Sequence, residues 1–400
     1  MAGILALGEG ASPRWGWKDP RASFTLPPSR LAIEPGDTLT IATPDRSRIV
    51  RVTEVAEHGA REIEALSLDA SVYQRTPAPE RESRAVVLPA AGPPLVELLD
   101  LPLLIGDEPP EAGYAVAAQY PWPGSIALYR SPESTGFVLK ALIDAPSTIG
   151  AILDALPAGP TSRIDYATAV YVEIDRGELA SVTRLKLLSG ANAAVVRNAD
   201  GEWEVLQFEV ATLVAPRVYK LSRLLRGQAG TERAMRPAVA AGARFVLLGA
   251  GLQRIGLTAD EISLPYSWRY GAASRDIGSG AYAQTQHAFT GLGLRPLSPV
   301  HVRGRRSSGD LTISWVRRTR IGGDSWDTTD VPLAEDTERY EVDIVAGALI
   351  KRTLTAATPT AVYTSAQQTA DFGALQASVA VRVYQLSATR GRGAARDAIV

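Results

Sequence analysis

The side chains best suited to proton transfer, metal binding and nucleophilic attack are few and scattered in this chain. Its three histidines, His58, His287 and His301, lie far apart and form no H-x-x-x-H or H-E-x-x-H pair, so no local motif brings two imidazoles to one metal. Cysteine is absent, which excludes disulfides, thiolate nucleophiles, Cys-ligated zinc and iron–sulfur clusters. The densest run of carboxylates is GGDSWDTTDVPLAEDTERYEVD, with Asp324, Asp327, Asp330, Glu335 and Asp336. A calcium loop places oxygen ligands at alternate positions and ends on a bidentate Glu. These acids begin three apart, the spacing of a solvated charged loop. No G-x-S-x-G or P-loop string occurs, and the Gly-rich strings GAGLQRIG and GLGLRP lack the strand–turn–helix setting of a phosphate cradle. No catalytic residue, metal or cofactor is therefore assigned, and the chain is expected not to be an enzyme.

Two tryptophans are the candidates for contact with a glycan or a partner. Trp122 lies in QYPWPG, held between prolines whose fixed φ presents the ring with little entropy to lose; plugging a strand corner is the competing role. Trp326 sits among the acids of the 317–338 stretch, where it either anchors a contact or packs over the edge of a sheet.

Charge names no partner: 42 Lys and Arg stand against 43 Asp and Glu, a formal charge of -1. From Pro299 on there are 13 Lys and Arg against 11 Asp and Glu, so the clusters Arg303-Arg305-Arg306, Arg317-Arg318-Arg320 and Arg390-Arg392-Arg396 read as balanced surface rather than a phosphate track. No signal peptide or membrane span is expected, because Met1–Leu7 has no basic flank and the apolar run Leu95–Ile105 is broken by Glu97 and Asp100.

The elements that must position these residues are mostly strands. A composition of 35 glycines and 27 prolines favours short elements joined by tight turns. From Phe24 to Tyr73 apolar residues alternate (Leu39, Ile41, Val50, Val52, Val55, Ile63, Ala65), with turns at Pro35-Gly36-Asp37 and Thr43-Pro44-Asp45. A proline- and charge-rich link at Thr76–Arg84 follows. In the middle, Ile164–Ile174 is expected to form a hairpin with ELASVTRLKLL through Asp175-Arg176-Gly177. Ala193–Arg197 is expected to pair with EWEVLQFEVATLV through Asn198-Ala199-Asp200-Gly201. YKLSRLLR (Tyr219–Arg226), closed by Gly227, reads as a short helix.

After Pro296 come about seven short strands in roughly 100 residues, the density of an immunoglobulin-like sandwich. Its expected core is Leu311, Ile313 and Trp315 facing Tyr340, Val342, Ile344, Val381 and Val383. L-x-I-x-W, Y-x-V-x-I and V-x-V-R-V followed by G-x-G resemble a fibronectin type III module, although Val379 stands where that family carries its corner tyrosine. The chain is thus expected to be mainly β and multidomain. It would comprise a small barrel- or hub-like unit over 1–85, a central β-rich domain over 86–298, and a fibronectin III-like sandwich over 299–400.

Longer strings carry a second resemblance. LAIEPGDTLTI (Leu31–Ile41), QYPWPGSIALYRS (Gln119–Ser131), LASVTRLKLLSGANAAVV (Leu179–Val196), GEWEVLQFEVATLVAP (Gly201–Pro216), YKLSRLLRGQAGTE (Tyr219–Glu232) and Leu294–Leu333 resemble the C-terminal part of the large tail-tip protein of gene transfer agents and long-tailed prophages. That resemblance implies a structural baseplate protein of a virion-like tail tip. It would assemble as a trimer beside other baseplate proteins, contact the bacterial envelope or its surface glycans, and let DNA pass without sequence-specific binding. Full-length members carry an upstream glycosidase-like barrel whose catalytic residues do not carry over to this chain. The alternative is an accessory or catalytic part of a glycan-active enzyme with a fibronectin-like module.

Overall fold

The computed structural model describes residues 3–6, 14–15, 20–42, 47–69, 92–106, 108–323 and 330–400. The turn at Thr43-Pro44-Asp45, the link at Thr76–Arg84, and Asp324, Trp326 and Asp327 lie outside the described residues. The chain divides into two units, Met1–Val87 and Leu88–Val400. In the first, β1 (Gly3–Ala6), β2 (Arg14–Trp15), β3 (Arg21–Leu26), β4 (Thr38–Ala42), β5 (Ser47–Glu57) and β6 (Arg61–Ser67) form one six-stranded sheet in the order β1-β4-β5-β6-β3-β2. Alternation decides which face is buried: Ala22, Phe24 and Leu26 point inward from β3, Leu39 and Ile41 from β4, Val50 and Val52 from β5, Ile63 and Ala65 from β6. The turn before β4 needs Gly36, whose φ of 104° suits a residue without Cβ while its N–H donates to Val52 O at 2.8 Å.

The second unit begins with β7 (Leu95–Leu99), β8 (Gly113–Ala118), β9 (Ile126–Ser131) and β10 (Val138–Ile143). Next come β11 (Ile149–Ile152), β12 (Asp165–Ile174), β13 (Ala193–Arg197), β14 (Trp203–Ala215), β15 (Val218–Gln228) and β16 (Arg244–Leu247), then β17 (Gln253–Ile255), β18 (Tyr266–Ala272) and β19 (Ala283–His287). Strands β11 to β16 close into a barrel, β11-β12-β15-β14-β13-β16, sealed where Ile149 of β11 pairs with Val246 of β16. The strands before and after it combine into two sheets, β10-β9-β18-β19 and β17-β8-β7. In chain order the barrel is therefore an insertion between β10 and β17.

Strand β8 explains the near-continuous apolar text of GYAVAA. Tyr114 and Val116 pack with Ile149, Val195, Val205 and Val246 on the outside of the barrel, whereas Ala115 and Ala117 pack with Ile126, Leu128, Ile143 and Trp268 of the four-stranded sheet. A strand buried on both faces has no polar phase to show. The barrel interior is filled by Ile152, Val170, Val172, Leu206, Phe208, Leu221, Leu224 and Phe245, among others.

Two expectations for this region are corrected. Residues Glu178–Leu188 do not return as a strand against β12. Their end forms a short helix, α1 (Arg184–Leu188), whose N-cap Thr183 accepts from Lys186 N–H, and β12 pairs instead with β11 and β15. Tyr219–Arg226 is not a helix but most of β15, paired with β12 and β14. The cause is Arg223, whose φ of 56° flips the side-chain phase so that Leu221 and Leu224 both point into the barrel. An i, i+3 spacing thus arises inside a strand. The other expected hairpin is present: Arg197 pairs with Trp203 across Asn198–Glu202, and Gly201 adopts a φ of 82°.

The turn before β18 is fastened to the four-stranded sheet by charge. Glu261 forms an ion pair with Arg130 of β9, lies 3.5 Å from Lys140 of β10 and accepts Thr258 N–H at 3.1 Å. The hydrogen bond from Arg130 holds its carboxyl at about 2, down from an ordinary 4.5. Because the folded value is depressed, its stabilisation is complete above the unfolded value and is lost as pH falls through the folded one. Denaturation of the protein and its Glu261→Gln variant should differ at neutral pH, and the gap should shrink from about pH 4.5 towards pH 2. A gap of constant size over that range would refute this assignment.

The rest of the chain is a sandwich. Strands β20 (Val300–Ser307), β21 (Asp310–Val316), β22 (Tyr340–Ala346), β23 (Leu349–Ala356), β24 (Thr360–Tyr363), β25 (Ala380–Ser387), β26 (Gly391–Arg392) and β27 (Arg396–Ile399) form two sheets, β20-β21-β24 and β23-β22-β25-β26, with β27 also on β25. One core holds Leu311, Ile313, Trp315, Tyr340, Val342, Ile344, Val381 and Val383, the set expected from alternation. A helix, α2 (Ser365–Phe372), follows β24 and was not expected; Thr364 and Gln367 form its capping box and Gly373 ends it.

Candidate functional site

An open cleft of about 620 Å³ is lined by residues 158–160 and 163–168, in the segment leading into β12 at one end of the barrel. Beneath it lies the most buried charge in the barrel. Arg226 of β15 is fully buried and forks onto Glu204 of β14, Nε to Oε1 at 2.6 Å and Nη2 to Oε2 at 2.8 Å, while Nη1 donates to Pro157 O at 3.0 Å. Glu204 also accepts Gly227 N–H at 3.2 Å. Each charge is at an inward phase of its strand, and each is held by a planar two-point contact.

Asp165 completes the group. Its Oδ1 accepts the N–H groups of Ala167 and Thr168 at 3.0 and 3.1 Å. Burial pushes its carboxyl up, but hydrogen bonds from Thr168 and Ala167 and the charge of Arg226 outweigh it, so the group sits below the usual carboxylate range. Gly159 allows the close approach, since a Cβ there would stand 2.9 Å from Asp165 Oδ2 and 3.0 Å from Arg226 Nη1. A carboxylate held ionised in this way is a poor proton donor. What the arrangement does well is fix the 158–168 segment onto the barrel end.

The sequence-predicted residues fall elsewhere. Trp122 is half-buried against the core of the four-stranded sheet and donates its Nε1–H to Gly124 O at 3.0 Å. The exposed ring of that turn is Tyr120, 69 % exposed, with the Arg176 guanidinium 3.4 Å from its centroid. Trp315, Tyr340 and Val381 lie in the sandwich core; Trp315 and Tyr340 meet edge to face at 5.1 Å, and Tyr340 Oη donates to Glu338 at 2.7 Å. Of the acidic stretch, Asp330 and Glu335 are taken by Arg317 and Arg320 at 2.6 and 3.1 Å. Among the described residues no group of three His, Asp or Glu side chains is placed to hold a metal ion. Burial pushes the His287 imidazole below its ordinary range, which keeps it neutral at pH 7.

Two stretches match protein-family models. Residues 16–55 match one described as "Putative phage tail protein", and residues 147–246 match one described as "Rcc01698-like, C-terminal". The first supports a phage-tail-like protein. It falls on β3, β4 and most of β5, whereas the second runs from just before β11 to the last residues of β16, the extent of the closed barrel. No curated protein matches the chain. The phage-tail match speaks for a structural rather than enzymatic role, for other tail proteins as partners and for a place in a virion tail. Among the described residues no helix is long and apolar enough to cross a membrane.

Proposed function

We propose that this chain is a structural subunit at the distal tip of a phage-like tail of the gene-transfer-agent type, built into the baseplate as a trimer. There it would contribute to attachment to the cell envelope and to passage of DNA. The observation that carries this reading is the phage-tail match over the first unit, residues 16–55. The β-rich architecture supports it, as does a terminal sandwich whose three-stranded and five-stranded sheets suit a fibronectin type III-like adhesion module. A ring around a tail axis must be cyclic, which is the argument for threefold assembly. The test is a reconstruction of the tail tip from particles of the producing cell. Three symmetric copies are expected at the distal end; a single off-axis copy, or particles lacking the chain, would overturn the proposal.

A further inference from the structure

The arginines after Pro299 are balanced in number, but the structure distributes that balance unevenly. Arg317, Arg318, Arg320, Arg352, Arg382 and Arg392 each have a carboxylate partner, and Arg306 reaches Gln368 and the carbonyl of Gln376. Arg303 and Arg305 have no partner among the described residues. Both lie on β20, two residues apart, on the outer face of β20-β21-β24. Arg303 pairs in register with Ser314 and Ser314 with Thr360; Arg305 pairs with Thr312 and Thr312 with Val362. Two parallel rows thus each begin with a guanidinium and continue into one hydroxyl, Ser314 or Thr312. The first ends on Thr360, whose hydroxyl donates to Ile313 O at 3.2 Å, and the second on Val362. The two arginines stand about 7 Å apart along the strand.

What is missing from this face narrows the ligand. These three strands contain one carboxylate, Asp310, and its Oδ1 already accepts Ser365 N–H at 2.7 Å. None of their outward residues is Phe, Tyr or Trp, so the face offers no platform for stacking a neutral sugar ring or a nucleobase. Two free guanidinium forks beside hydroxyl donors are complementary to carboxylates repeated along a chain.

We propose that the outer face of β20-β21-β24 docks an acidic polysaccharide, with Arg303 and Arg305 each holding a carboxylate of successive sugars. This deepens the envelope-attachment reading above and rests on it for its biological setting. The full chain is tested against polygalacturonate, neutral dextran and a thymidine oligonucleotide, with Arg303→Gln/Arg305→Gln as the variant. Arg339→Gln/Arg396→Gln is the control of equal charge change on exposed positions outside β20. Binding to polygalacturonate but not dextran is expected, weakened about tenfold by the first pair and unchanged by the second, with an unaltered melting temperature. Equal loss in both variants would reduce the effect to net charge and overturn the proposal. So would no loss in the first, or tighter binding of the oligonucleotide through the same arginines. Particles carrying the first variant should assemble normally; chain-free particles would refute the tail reading while leaving the binding result to stand by itself.

Discussion

Truncating Trp315 to alanine should melt the terminal sandwich. The indole is 4 % exposed, meets Tyr340 edge to face and sits between the two sheets. Removing a buried Trp costs about 3–5 kcal/mol, a large part of the ~5–15 kcal/mol that holds a domain together. Limited proteolysis with mass spectrometry should place new cuts after Val300 and leave the residues before it resistant. Among the described residues, the bonds that fasten the sandwich to earlier residues include Arg318 to Glu232 and Ser298, Arg320 to Gly293 O, and Ala394 N–H to Pro296 O. Simultaneous melting of Leu88–Val400 would instead mean that these bonds make one cooperative unit.

A loss of similar size is expected on replacing Arg226 with methionine. Glu204, fully buried, would keep a charge without its counter-ion, and Asp165 would lose the cation that favours its ionised form. Breaking a buried pair from one side costs about 3–5 kcal/mol, whereas apolar replacement of both members is often close to neutral. The variant Arg226→Met/Glu204→Leu should therefore be more stable than Arg226→Met alone in chemical denaturation, although Asp165 keeps it below the parent. If the double replacement is no better than the single one, the pair is not what makes the single replacement costly.

Much of the strand content was legible because burial leaves a period. Leu311, Ile313 and Trp315 alternate with polar residues, and the Asn198–Gly201 turn carries its own chemistry, so each could be read locally. Barrel closure could not: β12 pairs with β15, more than 40 residues on, and no local pattern records that choice. The left-handed Arg223 was hidden too, because a phase flip in a strand imitates one turn of helix. Helix α2 was missed despite visible signals, Thr364 and Gln367 three apart with Gly373 to follow. The buried pair left a fainter trace, since Glu204 is in phase with Leu206 and Phe208, an odd position for a charge. The unpaired face of β20 was invisible to a charge count, which gives totals and not partners.

The pairing of Ile149 with Val246 has a consequence for how such a chain can change over time. In an antiparallel pair the partners' Cα atoms stand about 4.5–5.5 Å apart, so the insertion leaves and rejoins its host through neighbouring points. The host sheets meet that narrow seam and the outward face of the barrel. Loops at the barrel's far end can lengthen, shorten or be exchanged without altering the spacing between β10 and β17. The barrel can in this sense be replaced as a cassette by a relative that keeps its two ends side by side, its outer apolar face and a carboxylate at the place of Glu232 to hold Arg318.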